Sequence, residues 1–365
     1  MRSIAIITGP ETYLDHLGVL SSILNIPLIV TEEKLFYLAK QFYPDLDVVL
    51  YDLSDLTMEF LAQNYDVIFQ TGKFWAAELG PLMELLFQKK MRFVFCPHGN
   101  SDKGHSLQNH IEQDVFLIYG DHLFDLLQQT GAAQKIRHIV KTGNYRYPYY
   151  LRHRCFYDKV AEEIVFSRFE KAKPTLLYAP TWNDKENPTS FFSATGALIE
   201  ELSSSFNIII KLHPFLIEDH PAKVFQIISH YENHSSVVIL DNFPPIYPLL
   251  KRCSLYLGDY SSIGYDFLIY DKPLYFFNPK KTSSSSPLHS CGLEVPENVK
   301  GRWNAFFTQT LEFNRKNYSS KRKELYYYAF GEELSPESIQ STIFKKLTDR
   351  LYPNKLKNCT RSRGS

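Results

Sequence analysis

Leu257-Gly258-Asp259-Tyr260-Ser261-Ser262-Ile263-Gly264-Tyr265-Asp266-Phe267-Leu268 reads as a strand end, a turn and a helix start. Residues 254–257 are a short apolar run of the kind that forms a buried strand. Gly258 and Asp259 break it, two serines follow, and a helical pattern runs to about Tyr270. The first N–H groups of a helix lack intrahelical partners, and the helix dipole is positive at that end. Such an end favours an anion, and Ser261 and Ser262 add hydroxyl donors. Asp266 lies four residues after Ser262, one turn further along the same face. That puts a carboxylate roughly 6 Å from the anion-binding end, within reach of ribose hydroxyls. The same residues also fit a plain N-cap, so the surrounding chain has to decide.

Outward from this stretch, strand-like runs occupy residues 175–179, 206–212, 236–240 and 274–277. Helical patterns at 193–204, 219–232 and 246–252 separate them. A second set precedes it. Strand-like runs lie at 3–8, 28–31, 47–51, 66–70, 92–96, 115–119 and 138–142, with helical patterns at 11–24, 32–43, 54–64, 74–89 and 121–131. Strands alternating with helices of this length predict parallel βα units, and continuous apolar strands predict sheets covered on both faces. The alternation stops at Tyr147-Pro148-Tyr149-Tyr150 and resumes after Lys173-Pro174. The expected organisation is an N-terminal Rossmann-like domain over 1–150, a crossing over 151–173 and a second Rossmann-like domain over 174–334. A helix over 335–352 follows, opened by Ser335-Pro336-Glu337, then a basic tail over 353–365. The tail carries Lys355, Lys357, Arg361 and Arg363 and no acidic residue. It reads as a disordered end, with contact to anionic lipid as the alternative. The segment 280–290, with four consecutive serines, reads as a flexible loop.

Composition narrows the function classes. A chain of 365 residues with 44% hydrophobic and 22% charged residues is globular and long enough for two cores. The formal net charge of +0 gives no whole-protein field to draw in nucleic acid. Five cysteines at unrelated spacings fit neither a zinc site nor a disulfide framework, which predicts free thiols in a reducing, cytoplasmic setting. The opening residues hold too short an apolar run for a signal peptide, and no apolar run approaches a membrane span.

In open α/β sheets ligands bind beyond the carboxyl ends of the strands, and the chemistry-bearing residues fall there. Pro97-His98-Gly99 with Lys103 follows the strand ending at Cys96, and a histidine so placed can act as a base near neutral pH. Lys211-Leu212-His213-Pro214 puts two cationic or donor groups on one side of a strand end. Tyr178-Ala179-Pro180-Thr181-Trp182 supplies a hydroxyl and an aromatic, with Trp182 read as packing unless its loop faces the cleft. Thr142-Gly143-Asn144-Tyr145-Arg146 offers a guanidinium that clamps a phosphate or lies on the surface. His105 and His110 read as ordinary loop residues. No P-loop, GxGxxG, HExxH or GxSxG pattern occurs, and Asp45-Leu46-Asp47 enters a strand rather than leaving one. No metal site is expected, because the His, Lys and Ser groups can neutralise a diphosphate.

These motifs, followed by Lys272-Pro273, stand in one order that resembles the CDP-glycerol glycerophosphotransferases, the teichoic-acid primases and polymerases. The resemblance covers roughly 93–278. It implies a GT-B-like α/β fold, two Rossmann-like parallel domains facing across a cleft, with the nucleotide held mostly by the second. It also implies transfer of glycerol phosphate, or a related polyol phosphate, from a CDP-activated donor to an acceptor hydroxyl, with CMP leaving and no cofactor. His98 would be the base, and His213 with Ser261 and Ser262 would stabilise the diphosphate. Lys211 and Thr181 would assist at the phosphates, and Asp266 would hold the ribose. Lys103, Arg146 and Trp182 are further candidate contacts to phosphate or acceptor. The acceptor would be a polyol phosphate, a lipid-linked chain or a polysaccharide, met at the inner face of the cell membrane. Two positions depart from the family pattern. Asn183 stands where an Arg is common, and Tyr145-Arg146-Tyr147-Pro148 replaces a Pro-Arg-x-Asp pattern. A nucleotide-sugar glycosyltransferase and a degenerate binding subunit therefore stay open as alternatives.

Overall fold

In the computed structural model, which describes residues 1–102, 107, 110–183, 188–278, 286–299 and 301–348, the first apolar runs form one parallel sheet. Its strands are β1 (Ser3–Ile7), β2 (Leu28–Val30), β3 (Val48–Leu50), β4 (Val67–Gln70), β5 (Arg92–Phe95), β6 (Val115–Ile118) and β7 (His138–Lys141). Their order is β3-β2-β1-β4-β5-β6-β7. A second parallel sheet has the order β10-β9-β8-β11-β12-β13. It comprises β8 (Thr175–Ala179), β9 (Asn207–Lys211), β10 (Val237–Leu240), β11 (Leu255–Gly258), β12 (Leu274–Phe276) and β13 (Leu293–Glu294). The inner strands β1, β4, β6, β8, β9 and β11 are buried along their whole length, as expected of parallel strands covered by helices on both faces. The strand order reverses between β1 and β4 in one sheet and between β8 and β11 in the other. Those switch points are where an open α/β sheet leaves a crevice for ligand.

The tyrosines around the crossing fill the space between the sheets. Tyr119, Tyr145, Tyr149, Tyr150 and Tyr247 belong to one apolar cluster that continues from β1 to β12. Much of the aromatic excess therefore sits in the junction. The helices Arg146–Arg152 and Arg154–Ile164 carry the chain across.

Several elements differ from the sequence-based expectation. The pattern over 74–89 splits into a π-helix, Trp75–Leu79, and an α-helix, Gly80–Phe87. The pattern over 219–232 becomes helices Pro214–Asp219 and Pro221–Tyr231, each with a proline in its first turn where the missing N–H costs nothing. Strand β13 and helices Trp303–Asn317 and Ser319–Phe330 were not anticipated. The final helix, Pro336–Thr348, buries Ile339, Ile343 and Leu347 as its spacing predicted. It packs on helix Leu17–Leu24 and on β6 and β7, so the end of the chain returns to the first sheet. Gly143 permits that return. Its φ is +65°, and a Cβ there would lie 2.9 Å from the Glu332 carbonyl oxygen. The basic tail and residues 279–285 of the serine loop lie outside the described residues.

Candidate active site

Three strand ends of the second sheet build one wall of a cleft. Asp259, just after β11, is fully buried and welds two of them together. Its carboxylate accepts the Thr181 N–H at 2.6 Å, the Ser190 N–H and hydroxyl at 2.9 Å each, and the Tyr260 N–H at 2.8 Å. The turn 259–262 and the loop after β8 are therefore held in one geometry.

Beside them, Lys211 ends β9. It is 3% exposed, and no hydrogen-bond partner reaches Nζ among the described residues. Burial lowers its pKa, against the pull of Glu11, Asp241 and Asp15. Two residues on, His213 Nδ1 accepts the Phe215 N–H at 3.3 Å. A neutral ring used that way carries its proton on Nε2, as a donor. Trp182 stacks on this ring at 6.0 Å and meets Phe215 edge-on, so it supports His213. Thr181 is 2% exposed and its N–H is spent on Asp259, so it sits behind Pro180 rather than on the cleft surface. Neither Thr181 nor Trp182, the candidate phosphate contacts from sequence, is among the residues that line the cleft.

Ser261 and Ser262 complete this wall. The helix they open, Ile263–Phe267, has five residues, with a 3-10 turn after it. Its dipole is small, and what it offers an anion is hydroxyls. Ser261 Oγ also accepts the Ile263 N–H at 3.4 Å, so the capping reading holds as well.

The facing wall comes from the first sheet. The loop after β5 carries His98, exposed at the cleft, with its ring 5.0 Å from that of Tyr13. Gly99 has φ +135°, and a Cβ there would lie 2.8 Å from both Cβ and Oγ of Ser262. The His98 loop and the serine turn thus touch, backbone against side chain. His98, Lys211, His213, Ser261 and Ser262 line one cleft of about 660 Å³, counting its open mouth. Lys103 lies outside the described residues.

The floor of the cleft is an ion network. Arg146, read from sequence as a phosphate clamp or a surface residue, is 2% exposed, so it is no surface residue, and it lines the cleft from below. It pairs with Asp15 at 3.0 Å and with Asp266, from opposite sides of the junction. Burial disfavours its charge, but the surrounding groups, Asp266 foremost, outweigh burial and hold it protonated. The Tyr247 hydroxyl, with one proton to give, lies 2.9 Å from Asn144 Oδ1 and 3.1 Å from Asp266 Oδ1, the oxygen that Arg146 meets, so this carboxylate serves the junction first. Burial pushes Asp15 up to about 6 in spite of Arg146. His16, also on the cleft, places Nδ1 2.6 Å from the Tyr119 hydroxyl. Asp15, His16, Tyr247 and the clamp at Asp259 were missed from sequence. Asn183, the departure from the family pattern, caps the Thr189 N–H at 2.8 Å. Among the described residues no three His, Cys, Asp or Glu side chains are grouped to hold a metal ion.

Residues 127–286 match the family of CDP-Glycerol:Poly(glycerophosphate) glycerophosphotransferases. The teichoic acid glycerol-phosphate primase of Bacillus spizizenii is 29% identical over 106 residues, which is 29% of this chain and 25% of the relative. The minor teichoic acid biosynthesis protein GgaB of Bacillus subtilis is 25% identical over 233 residues, 55% of this chain and 23% of GgaB. These matches span about a quarter of the relatives' length. The structure of the wall teichoic acid polymerase TagF superposes with a TM-score of 0.64 at 15% identity, over 95% of this chain and 90% of that one. That likeness gives the fold, two facing parallel α/β sheets of GT-B kind. On the family match over 127–286, the teichoic-acid relatives and the shared fold, this chain is similar to the CDP-glycerol glycerophosphotransferases.

Proposed function

We propose that the chain transfers glycerol phosphate, or a related polyol phosphate, from a CDP-activated donor to an acceptor hydroxyl and releases CMP. The observation that carries this reading is the convergence of His98, Lys211, His213, Ser261 and Ser262 on one cleft between the sheets. In this reading residues 174–334 hold the nucleotide, and residues 1–150 bring the base and the acceptor. The acceptor oxygen attacks the β-phosphorus of the donor, and its proton passes to His98. The bond from that phosphorus to the oxygen bridging the two phosphates breaks, and negative charge collects on CMP. Lys211 Nζ and the Nε2–H of His213 would meet that charge, with the serine hydroxyls beside them. Asp266 Oδ2, the oxygen that Arg146 and Tyr247 leave, is the atom for a ribose hydroxyl.

The acceptor in this proposal is a polyol-phosphate, lipid-linked or polysaccharide chain at the inner face of the cell membrane. No helix among the described residues is long and apolar enough to cross a membrane. Thermal-shift measurement with CDP-glycerol, CDP-ribitol, CMP and UDP-sugars tests the donor. Stabilisation by the CDP-polyols and CMP is expected. Stabilisation by UDP-sugars alone would replace this reading with a nucleotide-sugar transferase, and by none of them with a binding subunit.

A further inference from the structure

One ring on the cleft has no part in the reaction just described. His16 follows the 3-10 turn Glu11–Asp15, heads helix Leu17–Leu24 and lines the cleft with His98 and Arg146. Its Nδ1 lies 2.6 Å from the Tyr119 hydroxyl oxygen. That hydroxyl has one proton, and it donates it to the Pro97 carbonyl at 2.9 Å. A carbonyl oxygen can only accept, so the proton between His16 and Tyr119 belongs to Nδ1. The Tyr145 hydroxyl holds the same residue from behind by donating to the His16 carbonyl at 3.2 Å. Burial, then the nearby charge of Arg146 and His98, keeps the ring well below its usual pKa, hence neutral.

A neutral imidazole with its proton on Nδ1 has a bare lone pair at Nε2. Among the described residues the ring's hydrogen bond runs through Nδ1, and His16 lines the cleft. Apart from the proposed base His98, the other nitrogen groups that line this cleft are donors: Lys211, Arg146 and the Nε2–H of His213. Donors suit phosphate oxygens. A bare nitrogen does not, because two lone pairs repel. It suits a hydroxyl.

We propose that His16 Nε2 accepts a hydrogen bond from a free hydroxyl of the polyol carried on the diphosphate, and so distinguishes a polyol from a plain alkyl group. This rests on the donor class proposed above. A site built to pair a substrate hydroxyl discriminates against the analogue that lacks it, because its own polar atom is then left unpaired.

Titration calorimetry on the full chain, with CDP-glycerol and with CDP-propanol, tests it. The second ligand keeps the diphosphate and has no free hydroxyl. The unaltered protein is expected to bind CDP-glycerol roughly three- to tenfold more tightly, the equivalent of one net hydrogen bond. His16→Asn keeps an amide N–H near the Nδ1 position and removes the Nε2 acceptor. It is expected to lose that preference by weakening CDP-glycerol alone. His16→Gln, whose amide oxygen can reach the Nε2 position, is expected to keep most of it. Equal weakening of both ligands in His16→Asn would make His16 a structural residue and overturn the proposal. So would no change in either. Should His16→Asn fail to fold, equal affinity of the unaltered protein for the two ligands is the contrary result. Binding of neither ligand would overturn the donor reading itself, and this inference with it.

Discussion

Two buried cations share this cleft, and they are held in opposite ways. Arg146, at the junction, is 2% exposed and has two carboxylates, one from each side. Lys211, at the end of β9, is 3% exposed, and its Nζ meets no partner among the described residues. Equal burial with unequal pairing separates a structural charge from one kept for a ligand. A buried charge is costly unless paired, so the fold tolerates an unpaired lysine only where something else offsets the cost. In the proposed function, a diphosphate arriving at Lys211 would supply that offset. At Arg146 the offset is built in, and it ties the two sheets together.

The largest effect is expected at the junction. Arg146→Met leaves Asp15 and Asp266 buried without their cation, and should cost about 3–5 kcal/mol in denaturant unfolding. A loss below 1 kcal/mol would mean that Arg146 is not the tie between the halves. Next is the pH dependence of Asp15. Its carboxyl is raised from 3.8 to about 6, so the native state binds a proton that the unfolded chain has already lost. Its stabilising contribution is full below about pH 4 and is lost as pH rises to about 6, on the order of 3 kcal/mol. Asp15→Asn should flatten the melting temperature across that window. Some slope will remain, because burial raises Asp259 and Asp266 in the same direction. An unchanged slope would show that Asp15 is not raised. The smallest effect on folding, and the clearest contrast, belongs to Lys211→Met. Its melting temperature should hold or rise, while CDP-glycerol binding weakens roughly 10- to 100-fold, the loss of a hydrogen bond to a charged group. Destabilisation like that of Arg146→Met would erase the difference between the two cations.

The strands were legible because parallel strands buried on both faces are unbroken apolar runs, and Thr175–Ala179 and Asn207–Lys211 fall almost where the runs do. Lys211, His213, Ser261 and Ser262 were legible for the same reason, since topology puts strand ends at the cleft. Helix Ser319–Phe330 was not. Its aromatics lie on every side, and its buried Arg322 packs into a polar nest of Asp271 and Asn314, so no apolar stripe marks it. Strand β13 is two residues long and exists through its pairing with β12. The role of Arg146 was out of reach because its partners lie 131 and 120 residues away. His16 is defined by Tyr119, 103 residues on, and the signal that could have found it was its place in the connection that leaves β1 at the first switch point.

The division of labour across the cleft can be tested in one variant. His98→Ala removes the proposed base from one wall and leaves Lys211, His213, Ser261 and Ser262 on the other. Transfer from CDP-glycerol should fall roughly 100-fold or more, while its dissociation constant stays within about twofold. Full turnover in that variant, or binding that collapses together with transfer, would contradict it.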